Sequence, residues 1–387
     1  MSIDSTPTAT GGASSLAGGI LRIDLGAVVA NWRLLKDKLA PSGAACAAVV
    51  KADAYGLGMA EVAAALHRAG CRTFFVALPE EGIALRALLP DADIHVFAGA
   101  TAASLPELLR HRLVPVLNSL EQIAAVTAHA RSTGGSVAAD IHLDSGMNRL
   151  GLPAGEVASL AAAPALLDGL TIRLVMSHLA CADEPDHPLN AQQLAAFTAA
   201  RARVPALAAA QASFANSGGI FLGADFHFDL ARPGAALYGL KPRHPGPNPM
   251  AQVVRLQGKI LQVRDVDTPM TVGYGAAHRV TAKGRIATVG VGYADGYRQS
   301  LTNRGHAYLG DVRVPVVGRV SMDLIALDVS QVPPAQAVPG ALVDLLGPQH
   351  DADALAAEAG TIGYEILTGL GRRFHRVYVP VKENQPA

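Results

Sequence analysis

Through the first two thirds of the chain, short apolar runs alternate with longer amphipathic stretches. The opening segment ILRIDLGAVVANWRLLKDKLA predicts a strand followed by a helix that places Val28, Trp32 and Leu35 on one face. After it come CAAVV, TFFVA, DIHVFA, LVPVL, VAADIHL, TIRLVM, ASFA and FHFDLA. Most are separated by alanine- and leucine-rich stretches of helical length, such as MAEVAAALHRAG and EQIAAVTAHARSTGG. Nearly continuous apolar strands alternating with helices predict a parallel sheet covered on both faces. Eight such units make a (β/α)8 barrel, a TIM-like α/β fold, the expected architecture. A doubly wound open sheet is the structural alternative, but no G-x-G-x-x-G follows any strand.

The texture changes near Lys241, where KPRHPGPNP reads as a linker. Beyond it VVRLQGKILQV, RIATVGVGYA, VRVPVVGRVSMDLIALDV, ALVDLL and RVYVPV alternate with Gly, Pro and Asp turns, and one helical patch, DADALAAEAG, interrupts them. That pattern predicts a mostly antiparallel β domain, a barrel or sandwich. The expected boundaries are a disordered tail over 1–19, a barrel over 20–245 and a β domain over 246–387, with the strand at about 20–25 able to pack with the latter.

Composition narrows the function. Half of the 387 residues are hydrophobic, and 32 basic residues balance 32 acidic ones with no long charge run, so no nucleic-acid partner is expected. Cys46, Cys71 and Cys181 follow no zinc spacing, so no metal is expected and reduced thiols in a cytoplasmic setting are. The first residues, MSIDSTPTATGGASSLAGG, have neither a basic start nor an apolar core, unlike a secretory signal. No apolar run approaches the ~20 residues that cross a membrane.

In such a barrel, chemistry gathers at the C-terminal ends of the strands. Read there, the sequence presents Lys51 after the first strand, Arg149 in DSGMNRLG after the fifth and His178 in SHLACADE after the sixth. NSGG with Asn216 and Ser217 follows the seventh, and RPGAALYG with Arg232 and Gly234 the eighth. Any one could be a solvated loop residue; five strands converging make that reading poor. The last two loops are where barrels often bind phosphate, and their glycines let backbone N–H groups approach an anion. A lysine in a desolvated, cationic mouth has a lowered pKa and becomes an amine nucleophile toward a carbonyl. Phosphate with such a lysine points to pyridoxal 5'-phosphate.

AVVKADAYGLG resembles the pyridoxal-phosphate lysine signature of alanine racemases, and the resemblance continues in the family's order through LDSGMNRLG, SHLACADE, NSGG, ARPGAALYG, TVGYG, VGYADGY, GRVSMD and GYEILTGLGRR, from about Ile20 to Val381. It implies a homodimer interconverting L-alanine and D-alanine, for peptidoglycan or for D-alanine catabolism, with sites shared between subunits. Lys51 would hold the cofactor as an internal aldimine and serve as one base. Tyr274 in VGYG would be the other, supported by His178. Arg232 would face the pyridine nitrogen. Since arginine only donates, that nitrogen stays unprotonated, which weakens the electron sink and favours racemisation over decarboxylation. Tyr55, Asn216, Ser217, Gly234, Ala235 and Tyr364 would bind the cofactor, and Arg149 with the Met322 backbone the substrate carboxylate. Tyr293 would line the entrance, and Asp323 would fix the Met322 loop.

One departure stands out. Family members often carry a carbamylated lysine seven residues before the carboxylate-binding arginine, where this chain has His142. His142, an anion or a water is expected to hold Arg149 instead. The rival readings are a serine or broader-specificity racemase, a decarboxylase of the same barrel class, a non-enzymatic cofactor carrier and a barrel with no cofactor. Arg232 counts against the decarboxylase, and Tyr274 with Met322 against the carrier.

Overall fold

A computed structural model describes residues 16–381. The tail expected over 1–19 lies outside these residues up to residue 15. Its last part is ordered, because Gly18 O accepts from Lys259 N (2.8 Å) and Gly19 opens the first strand. No helix among the described residues is long and apolar enough to cross a membrane.

The chain forms two compact units, one of Leu25–Ala251, the other of Gln252–Pro380 with the described residues up to Asp24. The entering strand β1 (Gly19–Asp24) thus belongs with the later unit, although the expected barrel range begins at residue 20. It pairs antiparallel with one strand there and parallel with the last one.

In the first unit, helix Leu25–Leu39 buries Val28, Trp32 and Leu35, the face predicted from its spacing. The strands β2 (Ala45–Cys46), β3 (Ala48–Val49), β4 (Thr73–Val76), β5 (Asp93–Val96), β6 (Val114–Leu117), β7 (Val137–His142), β8 (Leu170–Met176), β9 (Gln211–Ser213) and β10 (Leu230–Ala231) follow. Strands β3 to β9 pair in parallel in chain order. The ring closes through β10: Asp229 N and Arg232 N donate to Ala212 O and Ala215 O on one side, while Ala45 N, Ala47 N and Val49 N donate to Asp229 O, Ala231 O and Pro233 O on the other. This is the expected (β/α)8 barrel, with two differences. CAAVV is split between β2 and β3, and FHFDLA supplies only two strand residues. Phe226 lies in a 3-10 turn and Phe228 has φ +50°, and the Phe226 and Phe228 rings pack against Phe214. Apolar packing there supports a turn that periodicity alone reads as strand.

In the second unit, β11 (Val254–Val266) is the central strand, flanked by β1 and by β18 (Leu342–Leu346). It also pairs with β14 (Gly284–Val289). The hairpin β12 (Thr271–Val272)–β13 (His278–Arg279) lies before β14, while β15 (His306–Leu309), β16 (Val312–Pro315), β17 (Ile325–Asp328) and β19 (His375–Val379) complete the unit. The pairing is antiparallel except for β1 with β19. Besides the expected helix Ala352–Ala359 there is a second, Gly363–Thr368.

Candidate active site

Lys51 sits on the tip of β3, and the four residues after it, Ala52 to Tyr55, wind into a left-handed turn with φ between +53° and +56°. Non-glycine residues pay roughly 1–2 kcal/mol each for this conformation. The turn is held from both sides. Glu81 Oε1 accepts from Ala52 N (2.6 Å), while its Oε2 accepts from Ala77 N (2.7 Å), and Asp53 Oδ1 accepts from Met59 N (2.7 Å). The turn buries Tyr55 against the Tyr238 ring, centroids 4.6 Å apart, and Tyr238 in turn donates to Val49 O (2.9 Å).

The Tyr55 hydroxyl fills the space over Gly234: a Cβ there would lie 2.3 Å from it. Ser217 Oγ accepts from Gly234 N (3.1 Å) and Ala236 N (3.2 Å), tying the loop after β9 to the loop after β10. Asn216 shapes the first of these loops, its Oδ1 accepting from Gly219 N and its Nδ2 donating to Leu179 O. Among the described residues the N–H groups of Ser217, Gly218 and Ala235 donate no hydrogen bond. Two loops thus offer backbone donors beside a tyrosine hydroxyl, a cradle suited to phosphate. Because the Tyr55 ring is wedged against Tyr238, Gly234→Ala should weaken cofactor binding roughly tenfold or more by overpacking. Equilibrium dialysis with pyridoxal phosphate checks this, and unchanged retention would contradict it.

Arg232 is 4 % exposed. Nη1 donates to Ser213 Oγ and Nη2 to Ser177 O (2.6 Å), while Nε, also buried, has no partner among the described residues. Burial lowers its pKa to about 10, and Asp140 opposes the shift. Arg232 therefore stays a cation at neutral pH, with one buried N–H unpaired among the described residues. Asp140 itself is fully buried in the barrel and bonded to His95 Nδ1 (2.5 Å).

Other cationic groups crowd the same mouth. Burial lowers the Lys51 pKa, Arg149 lowers it further and Glu81 opposes. Burial and then Arg232, Arg149, His142 and Lys51 hold His178 well below the usual imidazole range, so it is neutral. Arg149 stands on the loop after β7, exposed. Asp144 organises that loop by accepting from Gly146 N, Met147 N and Asn148 N. His142, at the end of β7, is lowered to about 4 by burial and by Arg232, with Arg149 adding to this and Asp144 opposing. Its Nδ1 meets Asn118 Oδ1 at 2.8 Å. The Asn118 amide donates to Phe97 O and Val116 O, so its oxygen accepts and His142 Nδ1 carries the proton. Nε2 of His142 is then an acceptor.

The remaining candidates lie in the β unit. Tyr274 opens a 3-10 turn between Gly273 (φ +78°) and Gly275 (φ +66°) and is 72 % exposed. Met322 and Tyr293 lie on loops joined by Tyr293 N to Ser321 O (3.0 Å) and Ala294 N to Met322 O (2.9 Å). Arg373 bridges Asp323 (2.8 Å) and Asp295 (3.0 Å), which ties Asp323 to the fixing of this loop pair. Tyr364 is exposed on helix Gly363–Thr368, whose neighbour Glu365 pairs with Arg298 (2.8 Å). Lys51, Tyr55, Arg149, His178, Asn216, Ser217, Arg232, Gly234 and Ala235 are thus brought to the barrel mouth, and Tyr274, Tyr293, Met322 and Tyr364 are presented by the β unit. Sequence reasoning missed Glu81, Asn118, Ser177 and Ser213. Only Glu81 leaves a signal, standing third in the helix that opens at Pro79, where a glutamate reaches back to the helix entrance.

Residues 23–242 match the family model described as alanine racemase, N-terminal domain, and residues 253–378 that of alanine racemase, C-terminal domain. A protein of Rhodospirillum rubrum named alanine racemase is 54 % identical over 95 % of this chain and 97 % of its own. One of Mesorhizobium japonicum, named alanine racemase, catabolic, is 51 % identical over 94 % of each. The crystal structure of alanine racemase from Bartonella henselae, described with covalently bound pyridoxal phosphate, superposes with a TM-score of 0.90 at 39 % identity, covering 94 % of this chain and all of that one.

Proposed function

The chain belongs to the alanine racemase family and is a pyridoxal-phosphate-dependent isomerase of L- and D-alanine, and from that premise we propose how its own residues divide the work. The buried Arg232 Nε, without a partner among the described residues, carries the assignment. It fits a ring nitrogen acceptor, and the Ser217, Gly234 and Ala235 loops with Tyr55 fit the phosphate, Asn216 shaping the first of them and Tyr364 contributing from a β unit. Pyridoxal phosphate, when bound, supplies an aldehyde that condenses with amines and a ring that takes up the electrons left by a departing α-proton.

Lys51 would hold the cofactor through Nζ and move the proton on one face of the alanine Cα. Its lowered pKa favours the unprotonated amine that both tasks need. Tyr274 would serve the opposite face. Neutral His178 would share the proton that Tyr274 carries. Arg149 and the Met322 N–H would orient the substrate carboxylate, and Tyr293 would narrow the approach.

The exposure of Tyr274 and Met322 supports a homodimer in which the β unit of the partner subunit completes each barrel mouth. We place the enzyme in the cytoplasm, supplying D-alanine to peptidoglycan or returning it to L-alanine for breakdown. Proton NMR of L-alanine in heavy water with chiral analysis of the same tube tests the two-face scheme. Loss of the Cα–H signal together with D-alanine is expected, and exchange without D-alanine would contradict it.

His142 has its Nδ1 proton held by Asn118, and Arg149 is near enough to lower its pKa, which supports a role for Nε2 in holding Arg149. His142→Ala should then raise KM for alanine about tenfold with little change in kcat, the pattern of lost uniform binding. An unchanged KM would remove the side chain from this role.

A further inference from the structure

We propose that the β unit holds a transition-metal site, suited to Zn2+, formed by His306, His350 and Glu358. His306 begins β15, His350 ends the turn after β18, and Glu358 lies on helix Ala352–Ala359. Their ligand atoms all lie within 4.8 Å of one another. The two imidazoles stack with centroids 4.0 Å apart, and the Glu358 carboxylate faces both, Oε1 toward His306 Nδ1 and Oε2 3.4 Å from His350 Nε2.

His350 is the independent observation. It is 1 % exposed, and neither of its ring nitrogens meets hydrogen-bond geometry with any described residue; burial lowers its pKa, and the nearby Leu345 carbonyl opposes this. Buried polar atoms rarely go without a partner, so this ring points to one. His306 Nδ1 gives the second half of the argument. Arg313 Nη2 can only donate to it (3.0 Å), so this nitrogen presents a lone pair, and the same nitrogen faces a carboxylate oxygen. A lone pair facing a carboxylate oxygen is a pairing that a metal ion can satisfy once the two side chains separate to admit it. Arg313 is exposed and free to turn outward when one arrives. Two imidazoles and one carboxylate are the three-ligand set of an open tetrahedral zinc site, with water in the fourth position. The buried Tyr297 hydroxyl, next to Gly305, also has no partner among the described residues. A bound ion would pin β15, the turn after β18 and the helix together. The sequence reading expects no metal because it weighs only the spacing of Cys46, Cys71 and Cys181, not these two histidines.

The test uses the full-length, pyridoxal-phosphate-loaded protein, stripped with a chelator and titrated with Zn2+ and, separately, Co2+. The site predicts one equivalent of Zn2+ per chain, a higher Tm on binding, and the intense visible bands of four-coordinate Co2+. His350→Gln and Glu358→Gln should each lose this equivalent and the Co2+ bands, while His67→Ala, in the barrel unit, keeps both. No uptake by the wild-type protein, a weak six-coordinate Co2+ spectrum, or equal uptake by the Glu358→Gln protein would overturn the proposal. The wild-type Co2+ spectrum decides the matter even if a variant fails to fold.

Discussion

Lys51→Ala should abolish racemisation, with a loss of at least about 10³-fold, because in the proposed scheme one side chain both anchors the cofactor and moves a proton. The protein should still fold, since Lys51 is half-buried and its neighbours Ala52 to Tyr55 are held by Glu81, Asp53 and Tyr238 through contacts that do not involve its amine. The purified variant should lose the cofactor on dialysis while keeping the wild-type circular dichroism. An added small amine should restore part of the activity, since it can take over proton transfer but not the anchoring. Retention of full activity would remove Lys51 from the chemistry.

Tyr274→Phe should cost about 10²- to 10⁴-fold in racemisation, the range for losing one acid/base group. Unlike Lys51→Ala, this change leaves the barrel mouth intact, so the variant should retain its cofactor. It should also be asymmetric. One alanine enantiomer still meets Lys51 and should exchange its α-hydrogen with heavy water, and the other should exchange far more slowly. Equal loss for both enantiomers would mean that Tyr274 acts by shaping the site rather than by carrying a proton. Stability should hardly change, because the ring is mostly solvent-facing within the chain and its hydroxyl is not needed for packing there.

The barrel was legible because a strand buried on both faces has to be apolar, which leaves a polar residue at its tip conspicuous. Lys51, Arg149, His178 and Arg232 all stand out in this way. The left-handed turn after Lys51 was not legible: Ala52, Asp53, Ala54 and Tyr55 have no local preference for positive φ, and what holds them is Glu81, far along the chain. Asn118 and Ser213 were hidden for a similar reason. Each is an ordinary polar residue at the edge of an apolar run, and its importance comes from the His142 or Arg232 that folding brings against it. The eighth strand shrank because Phe226 and Phe228 pack against Phe214 from a turn, and aromatic packing leaves the same apolar letters in the sequence as a strand does. The parallel pairing of β1 with β19 joins the two ends of the described chain, a contact no local pattern encodes.

The central claim, that Lys51 of one subunit works with Tyr274 of the partner subunit, is tested most directly by mixing the two inactive variants. Lys51→Ala and Tyr274→Phe proteins are unfolded together, refolded, reloaded with pyridoxal phosphate and assayed for D-alanine, with heterodimers counted by a tag on one variant. A heterodimer with shared sites contains one mouth with both defects and one with neither, so random pairing should restore about a quarter of wild-type activity. If heterodimers form and activity stays at the level of the separate variants, each site is built within a single chain and the account is wrong.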